Sequence, residues 1–194
     1  MASSINAITT GSGGVVTTAD NSGDLNIQSG GSTKIAVTSA GVAVTGLSKA
    51  SLPTGSVLQV VNAVYSTETG YSSSTFIDTG LTATITPTSS TSKILVLVSQ
   101  NGCGKQTNDT AIRLKLLRGA TDILYFSDIA GRTNTTAANY VGSISASYLD
   151  SPATTSATTY KTQFSSLSGN SVVVVQGYQS TAVNSTITLM EIAA

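Results

Sequence analysis

The fold class is set by one alternating stretch, Ile112-Arg113-Leu114-Lys115-Leu116. Apolar and charged side chains alternate strictly in it, and successive side chains of a β-strand point to opposite faces of the sheet. The pattern therefore predicts a strand with one buried face and with Arg113 and Lys115 directed into solvent. Such strands are typical of antiparallel sheets, which bury one face and leave the other to water.

Two other stretches would be apolar on both faces of a strand. They are Ile94-Leu95-Val96-Leu97-Val98 and Val172-Val173-Val174-Val175. Such strands are expected at the centre of a sheet, or where a second protein surface covers the outer face. The sequence leaves both interpretations open, a central strand or a subunit contact.

Ten strands are predicted in the C-terminal part, separated by turns rich in Gly, Ser, Asn and Asp. They cover residues 57–65, 75–78, 81–86, 93–99, 111–117, 123–127, 140–149, 158–165, 171–176 and 185–192. No window shows helical periodicity. The chain is thus predicted to be all-β, and residues 55–194 are predicted to form a head domain, a jelly-roll-like antiparallel β-sandwich.

The composition agrees with sheets and with a weakly charged surface. Of the 194 residues 9% are charged, nine Lys and Arg balance nine Asp and Glu, and 40% are hydrophobic. Disordered chains usually combine low hydrophobicity with high net charge, so this chain is expected to fold, around one main core. A neutral chain without clustered cations lacks the means to bind phosphates, so nucleic acid is not an expected partner.

Residues 21–54 predict a short β-shaft followed by a linker. Three short alternating segments, at 24–28, 34–38 and 42–45, are separated by Ser/Gly turns, and residues 46–55 have the composition of a linker. Two large apolar side chains per strand, worth roughly 1.5–3 kcal/mol each when buried, do not offset about 1–2 kcal/mol of backbone entropy per residue. A homotrimer would cover the apolar row of this meander around a threefold axis. The expected trimer-core residues are Leu25, Ile27, Ile35, Val37, Val42 and Val44.

The sequence offers little material for catalysis or metal binding. It contains no histidine and one cysteine, Cys103, which removes the commonest general base and the ligands of a zinc site. Its acids are too sparse to show the paired carboxylates of a glycosidase, although strands can bring distant acids together. We expect no cofactor, no metal and no enzymatic activity, and a polysaccharide depolymerase is the less favoured alternative. Cys103 is expected to be a buried structural thiol.

Neither end of the chain shows a basic segment followed by a long apolar run. The sequence therefore predicts no secretory signal and no membrane insertion, and synthesis in a cytoplasm. Residues 1–18, rich in Ser, Gly and Thr, are expected to be flexible on their own.

Polar loops between the longer strands supply the candidate binding residues, because loops on a rigid sandwich are where binding usually resides. Two such loops are predicted at 101–110 and 128–139, and two tyrosines beside glycines are placed in loops as well. A tyrosine ring there can stack on a ligand. The candidate receptor contacts are Tyr71, Lys105, Gln106, Asn108, Arg132, Asn134 and Tyr178. The alternative is that the loops are simply solvated.

The chain resembles virion proteins of tailed bacteriophages, notably cyanophages and marine phages. The resemblance to the short β-repeats of phage fibre shafts lies in residues 4–11 (SINAITTG), 23–31 (GDLNIQSGG) and 39–46 (SAGVAVTG). The C-terminal part is similar to phage virion proteins of unassigned role. That similarity lies in residues 76–87 (FIDTGLTATITP), 148–155 (YLDSPATT) and 185–192 (STITLMEI).

The resemblance implies a place in the virion and carries no catalytic residues. Proteins of this kind are typically trimers, with an N-terminal segment, here residues 1–20, docked on other virion proteins. Their C-terminal head can bind a glycan or a protein of the host surface. The resemblance thus favours a short homotrimeric tail fibre or spike that adheres to the host. The alternative on the same features is a capsid decoration protein, of the cement or head-fibre kind.

Overall fold

The computed structural model describes residues 25–45, 52–178 and 181–194. The chain divides into two compact units, Met1–Ser51 and Leu52–Ala194. The predicted attachment segment of residues 1–20 lies outside the described residues, as does most of the predicted linker. Within the described ranges the chain holds strands and turns and no helix, so the all-β prediction is confirmed.

The first unit contains a three-stranded antiparallel meander. Its strands are β1 (Leu25–Ser29), β2 (Ser32–Thr38) and β3 (Gly41–Val44), with β2 in the centre. The turn between β1 and β2 is formed by Gly30 and Gly31, both at positive φ, a conformation that glycine adopts without strain. The predicted meander is confirmed, with strand ends shifted by one or two residues.

The six apolar residues of the predicted row lie on one face of this meander. Cross-strand pairing forms two rows, one joining Leu25, Val37 and Val42 and the other joining Ile27, Ile35 and Val44, and directly opposed residues share a face. Most of these side chains are open to solvent in the single chain, Val42 with 67% of its surface exposed and Leu25 with 53%. The meander thus has an apolar face that the described residues leave largely uncovered.

The second unit is built from eight long strands and four short ones. The long strands are β4 (Val57–Tyr65), β6 (Ile77–Ile85), β7 (Lys93–Lys105), β8 (Ile112–Arg118), β9 (Thr121–Ala130), β10 (Asn139–Asp150), β11 (Thr158–Ser166) and β15 (Ser185–Ile192). The short strands are β5 (Thr69–Tyr71), β12 (Val173–Val175), β13 (Gly177–Tyr178) and β14 (Thr181–Ala182). Every pairing between them is antiparallel.

The long strands form two four-stranded sheets. The first sheet has the order β4-β15-β7-β10. Strands β12 and β5 extend it beside the C-terminal end of β7. The second sheet has the order β6-β11-β8-β9. The chain passes back and forth between the sheets, and this strand order is that of a jelly roll. The predicted sandwich is therefore confirmed.

The two sheets meet across one main apolar core and a smaller second cluster. The first sheet contributes Val96 and Leu189 among others, and the second contributes Leu81, Leu116 and Tyr160, all with almost no exposed surface. The smaller cluster consists of Phe164, Val173, Val175, Cys103, Ile112 and Leu114. The run Ile94–Val98 is central, the first of its two interpretations, because β7 pairs with β15 on one side and β10 on the other.

Buried polar side chains join the two sheets as well. Gln100 of the first sheet accepts a hydrogen bond from the Thr162 hydroxyl of the second (2.9 Å) and donates one to the Ser185 hydroxyl (3.1 Å). Near the N-terminal end of β7, the Tyr160 hydroxyl donates to the Asp150 carboxylate (2.7 Å), which also pairs with Arg118. Because a buried polar group without a partner is costly, these contacts fix how the sheets are aligned.

Several strand predictions were wrong in their limits. The segments predicted at 75–78 and 81–86 are one strand, β6, in which Gly80 at positive φ sits against the Tyr65 ring in place of a turn. Strand β7 continues to Lys105 instead of ending at Ser99, so half of the predicted loop at 101–110 belongs to the sheet. The hydrogen bonds that β10 and β12 supply sustain this extension.

The prediction that Lys115 points into solvent was also wrong. Its side chain leaves the outer face of β8, but its ammonium lies 4.5 Å from the centre of the Phe76 ring and 2.9 Å from the Asp122 carboxylate. A cation over an aromatic face is attracted by the ring, and Phe76 thereby covers the lysine. Arg113 contacts the same ring and is partly buried.

Glu191 gives the head domain a specific sensitivity to acid. Burial raises the pKa of its carboxyl, but hydrogen bonds from Thr88, Gln59 and Ser92 outweigh it and lower the pKa below the ordinary value of 4.5. The stability contributed by the ionised form is present above pH 4.5 and is lost as the pH falls through the lowered pKa. We expect Glu191→Gln to reduce the free energy of unfolding by about 2 kcal/mol at pH 7.

Urea unfolding between pH 3 and pH 7 tests this expectation. The difference in free energy of unfolding between the unsubstituted chain and Glu191→Gln should become smaller below pH 4.5, because protonation removes the same negative charge from the unsubstituted chain. A gap that stays constant over the whole range would contradict the assigned role of the carboxylate.

Candidate functional site

The head domain has two different ends. The chain enters at β4, where Gly55 donates a backbone hydrogen bond to Ala193 near the C-terminus (2.8 Å) and Val57 pairs with Ile192. Strand β7 starts at this end with Lys93, which pairs with Ile192, and runs to Lys105 at the other end. Twelve residue steps of about 3.3 Å give roughly 40 Å between the two ends. We call the end at Lys105 the tip.

Four loops meet at the tip. They are residues 72–76, 106–111, 131–138 and 167–172. Direct hydrogen bonds join the second of these loops to the fourth: the Asn108 amide donates to the Asn170 carbonyl (2.9 Å), and the hydroxyls of Thr107 and Ser171 share a hydrogen bond of 2.6 Å. The tip is therefore a surface of amides and hydroxyls from several loops.

Lys105 holds two of these loops from below. Its side chain is fully buried, and its ammonium donates to the backbone carbonyls of Asn108 (2.8 Å) and Thr135 (2.7 Å). The prediction that Lys105 is an exposed receptor contact was therefore wrong. Its position in a sheet strand, with Val173 paired on one side and Asn139 on the other, directs the side chain inward.

An ion pair fixes the loop of residues 131–138. Arg132 donates two hydrogen bonds of 3.2 Å to the Asp109 carboxylate, and the backbone N–H of Asn134 donates to the same group. The hydrogen bond from Arg132 lowers the pKa of Asp109, and the nearby charge of Lys105 adds to the effect. Asp109 is consequently ionised at neutral pH and joins the two loops.

Four of the predicted receptor contacts lie together at the tip. Gln106 and Asn134 are exposed, Arg132 is partly exposed, and Asn108 is half-buried with its backbone at positive φ. Loops that adjoin the same end of neighbouring strands are brought together by the sheets. The sequence identified these positions from their polarity and turn character.

The two tyrosines predicted in loops lie elsewhere. Tyr71 belongs to the short strand β5, where it pairs with Val173 and packs edge-to-face on Phe164 (centroids 6.3 Å apart). The prediction of a loop position was wrong for Tyr71, because β5 extends the first sheet. Tyr178 lies in β13, and its side chain is outside the described part of the structure.

A cavity beside the tip was missed by the sequence analysis. It has a volume of about 480 Å³ and is lined by Asn101, Gly102, Cys103, Tyr140, Gly142, Ser143, Gly177 and Val183. Glycines leave the space open, since residues without side chains do not fill it. The run of glycines around β7 and β10 is the sequence signal that could have indicated this opening.

The Cys103 thiol at this cavity is buried, as predicted. It donates a hydrogen bond to the Gln100 carbonyl (3.2 Å), and burial raises its pKa to about 12. A thiol that stays protonated is a poor nucleophile and a poor metal ligand.

The described residues contain no group of three or more His, Cys, Asp and Glu side chains placed to hold a metal ion. Nor does the part of the chain seen in the structure include a helix of the length and apolarity that would cross a membrane. No protein-family model matches the sequence, and no curated protein is significantly similar to it.

Proposed function

We propose that this chain is a structural protein of a tailed-phage virion, a short homotrimeric fibre whose head adheres to the host surface. One observation carries the proposal. The polar loops gather at the tip, roughly 40 Å along β7 from the end at which the chain enters the head. A protein attached through its N-terminus would then present its loops farthest from the particle.

The uncovered apolar face of the meander supports the trimeric part of this proposal. Its six side chains form two complete rows, and five of them are exposed in the single chain. Copies of the same chain meeting around a threefold axis would remove these rows from water. Three heads would then be held together, each with its own tip.

The chemistry of the tip suits weak, repeated polar contacts. Its exposed polar groups are amides, hydroxyls and the ion pair of Arg132 with Asp109. Such groups form hydrogen bonds to the hydroxyls of a host surface glycan or to the backbone of a surface protein. Three identical tips gain affinity by acting together, so modest contacts suffice for adhesion.

If the tip binds the host surface, removal of its exposed side chains should weaken adhesion. We expect the double variant Gln106→Ala/Arg132→Ala to lose about 1 kcal/mol per tip, or about fivefold, which becomes about a hundredfold when three tips bind together. The measurement is the association of the fluorescently labelled full chain with a panel of marine bacterial and cyanobacterial strains. Arg113→Ala, on the outer face of β8, is the matched control and should bind normally.

Two results would contradict the adhesion proposal. One is that no strain in the panel retains the unsubstituted chain, and the other is that the double variant binds as tightly as the control. Immunogold labelling of particles that carry this chain addresses its location. Label at the tail is expected, whereas label spread over the capsid would replace the fibre with a decoration protein. Release of sugar fragments from host polysaccharide would indicate a depolymerase instead.

A further inference from the structure

The outer face of the first sheet carries an uncovered apolar row. Register places Val60, Met190, Leu95 and Leu149 side by side on the four strands β4, β15, β7 and β10. Val60 and Leu149 each expose 56% of their surface, and the two residues between them are half-buried. Cross-strand neighbours of this kind form one continuous surface.

The two rows on its tip side contain no charge, whereas the row on its other side includes Lys93, which pairs with Ile192. The next row joins Asn62, Thr188, Leu97 and Ser147, and the one after it joins Val64, Thr186, Ser99 and Ser145. All of these side chains are apolar, hydroxyl or amide groups. Depletion of charge with apolar residues at the centre is the composition of a buried interface core.

The second sheet shows the opposite character on its outer face. Ion pairs join Lys161 to Asp78, Lys115 to Asp122 and Arg113 to Asp128 there, with distances of 2.9 Å each. The chain has few charges, and it places three such pairs on one face of the sandwich and none in the three rows of the other. The charged outer face of the second sheet is thus suited to contact with water. The uncharged rows of the first sheet are suited to contact with protein.

A second copy of this chain is the occupant that the first sheet fits. Identical surfaces must not repel each other when they meet, and these three uncharged rows meet their own copies without like-charge contacts. Its size points the same way. Three rows about 6.7 Å apart on four strands about 4.8 Å apart cover roughly 400 Å², about half of what each partner buries in a standard interface.

We propose that the outer faces of the first sheets converge on the threefold axis and form the subunit interface of the head. This inference rests on the homotrimer of the proposed function. An area of this size binds weakly between free molecules, but the meander of each chain keeps the three heads at a high effective concentration. The second sheets and the tips then remain open to solvent.

Thiol labelling of the full chain tests the inference. Cys103 is buried and unreactive, so a thiol introduced elsewhere is labelled alone. Ser147→Cys lies on the outer face of the first sheet, and Thr84→Cys lies on the exposed face of the second. We expect maleimide to label the first at least tenfold more slowly than the second. The two rates should become equal when Ile27→Asp is added to separate the chains.

The outcomes separate this inference from the proposed function. A trimeric mass in light scattering with equal labelling rates would overturn the head interface and leave the trimer intact. A monomeric mass for the unsubstituted chain would overturn both. As a second test, Leu149→Lys should raise the concentration at which half of the trimer dissociates by at least tenfold. Ile129→Lys, at a similarly exposed position on β9 (63% against 56% for Leu149), should not change it.

Discussion

The full chain carrying Ile27→Asp is expected to be a monomer at concentrations at which the unsubstituted chain is a trimer. Ile27 stands in the apolar row with Ile35 and Val44. In a trimer, three carboxylates would be forced together out of water, and each buried ion costs several kcal/mol. The measurement is the solution mass by light scattering over a range of concentrations.

Asn26→Asp is the matched control for this change. It introduces the same side chain one residue earlier, on the opposite face of β1, where Asn26 is exposed and pairs with Ala36. The control should keep the trimeric mass. If Ile27→Asp also keeps it, the apolar face of the meander is not the subunit contact, and both the shaft and the fibre proposal fail.

Lys105→Met is expected to lower the free energy of unfolding by about 3 kcal/mol and to loosen the tip. The substitution leaves the partly buried carbonyls of Asn108 and Thr135 without their donor, and an unsatisfied buried group costs about 1–3 kcal/mol. Amide hydrogen exchange should become faster in residues 106–110 and 131–138 and stay unchanged in β15. Adhesion should weaken, because the two loops lose their common support.

Lys161→Met provides the comparison. Lys161 pairs with Asp78 at the surface of the second sheet, and exposed ion pairs contribute about 0–1 kcal/mol. The free energy of unfolding of Lys161→Met, and its rate of amide hydrogen exchange at the tip, should stay close to those of the unsubstituted chain. Equal stabilities for the two variants would show that the Lys105 ammonium does not support the tip.

The proposed roles of the tip and of the first sheet predict different tolerance to substitution. Substitutions at the tip change exposed amides and hydroxyls that nothing in the sheets depends on, such as Gln106. Substitutions in the row that contains Val60 and Leu149 would alter the proposed interface in three copies at once. We therefore expect the tip to tolerate far more variation than the outer face of the first sheet.

The candidate site was predicted from sequence only where polarity and position agree. Gln106 and Asn134 are polar, lie beyond strand ends, and are exposed as predicted. Lys105 has the same polarity but belongs to β7, and its charge is satisfied by carbonyls from loops 3 and 30 residues away. A sequence does not show which backbone groups will surround a lysine, so its burial was not foreseen.

The sequence by itself determined the local features. Alternation determined the strands, glycines determined the turns, and the absence of helical periodicity determined an all-β chain. Each depends on contacts within a few residues. It also placed six apolar side chains on one face of the meander, since side chains two apart share a face of a strand.

Only the tertiary structure decided the strand order, the tip and the contrast between the two outer faces. The row of Val60, Met190, Leu95 and Leu149 joins residues up to 130 positions apart, and its continuity exists only in the register of four strands. Pairing over such distances is selected by the packing of the whole core. No local pattern carries that information, which is why the surface that we assign to the subunit interface was invisible in the chain.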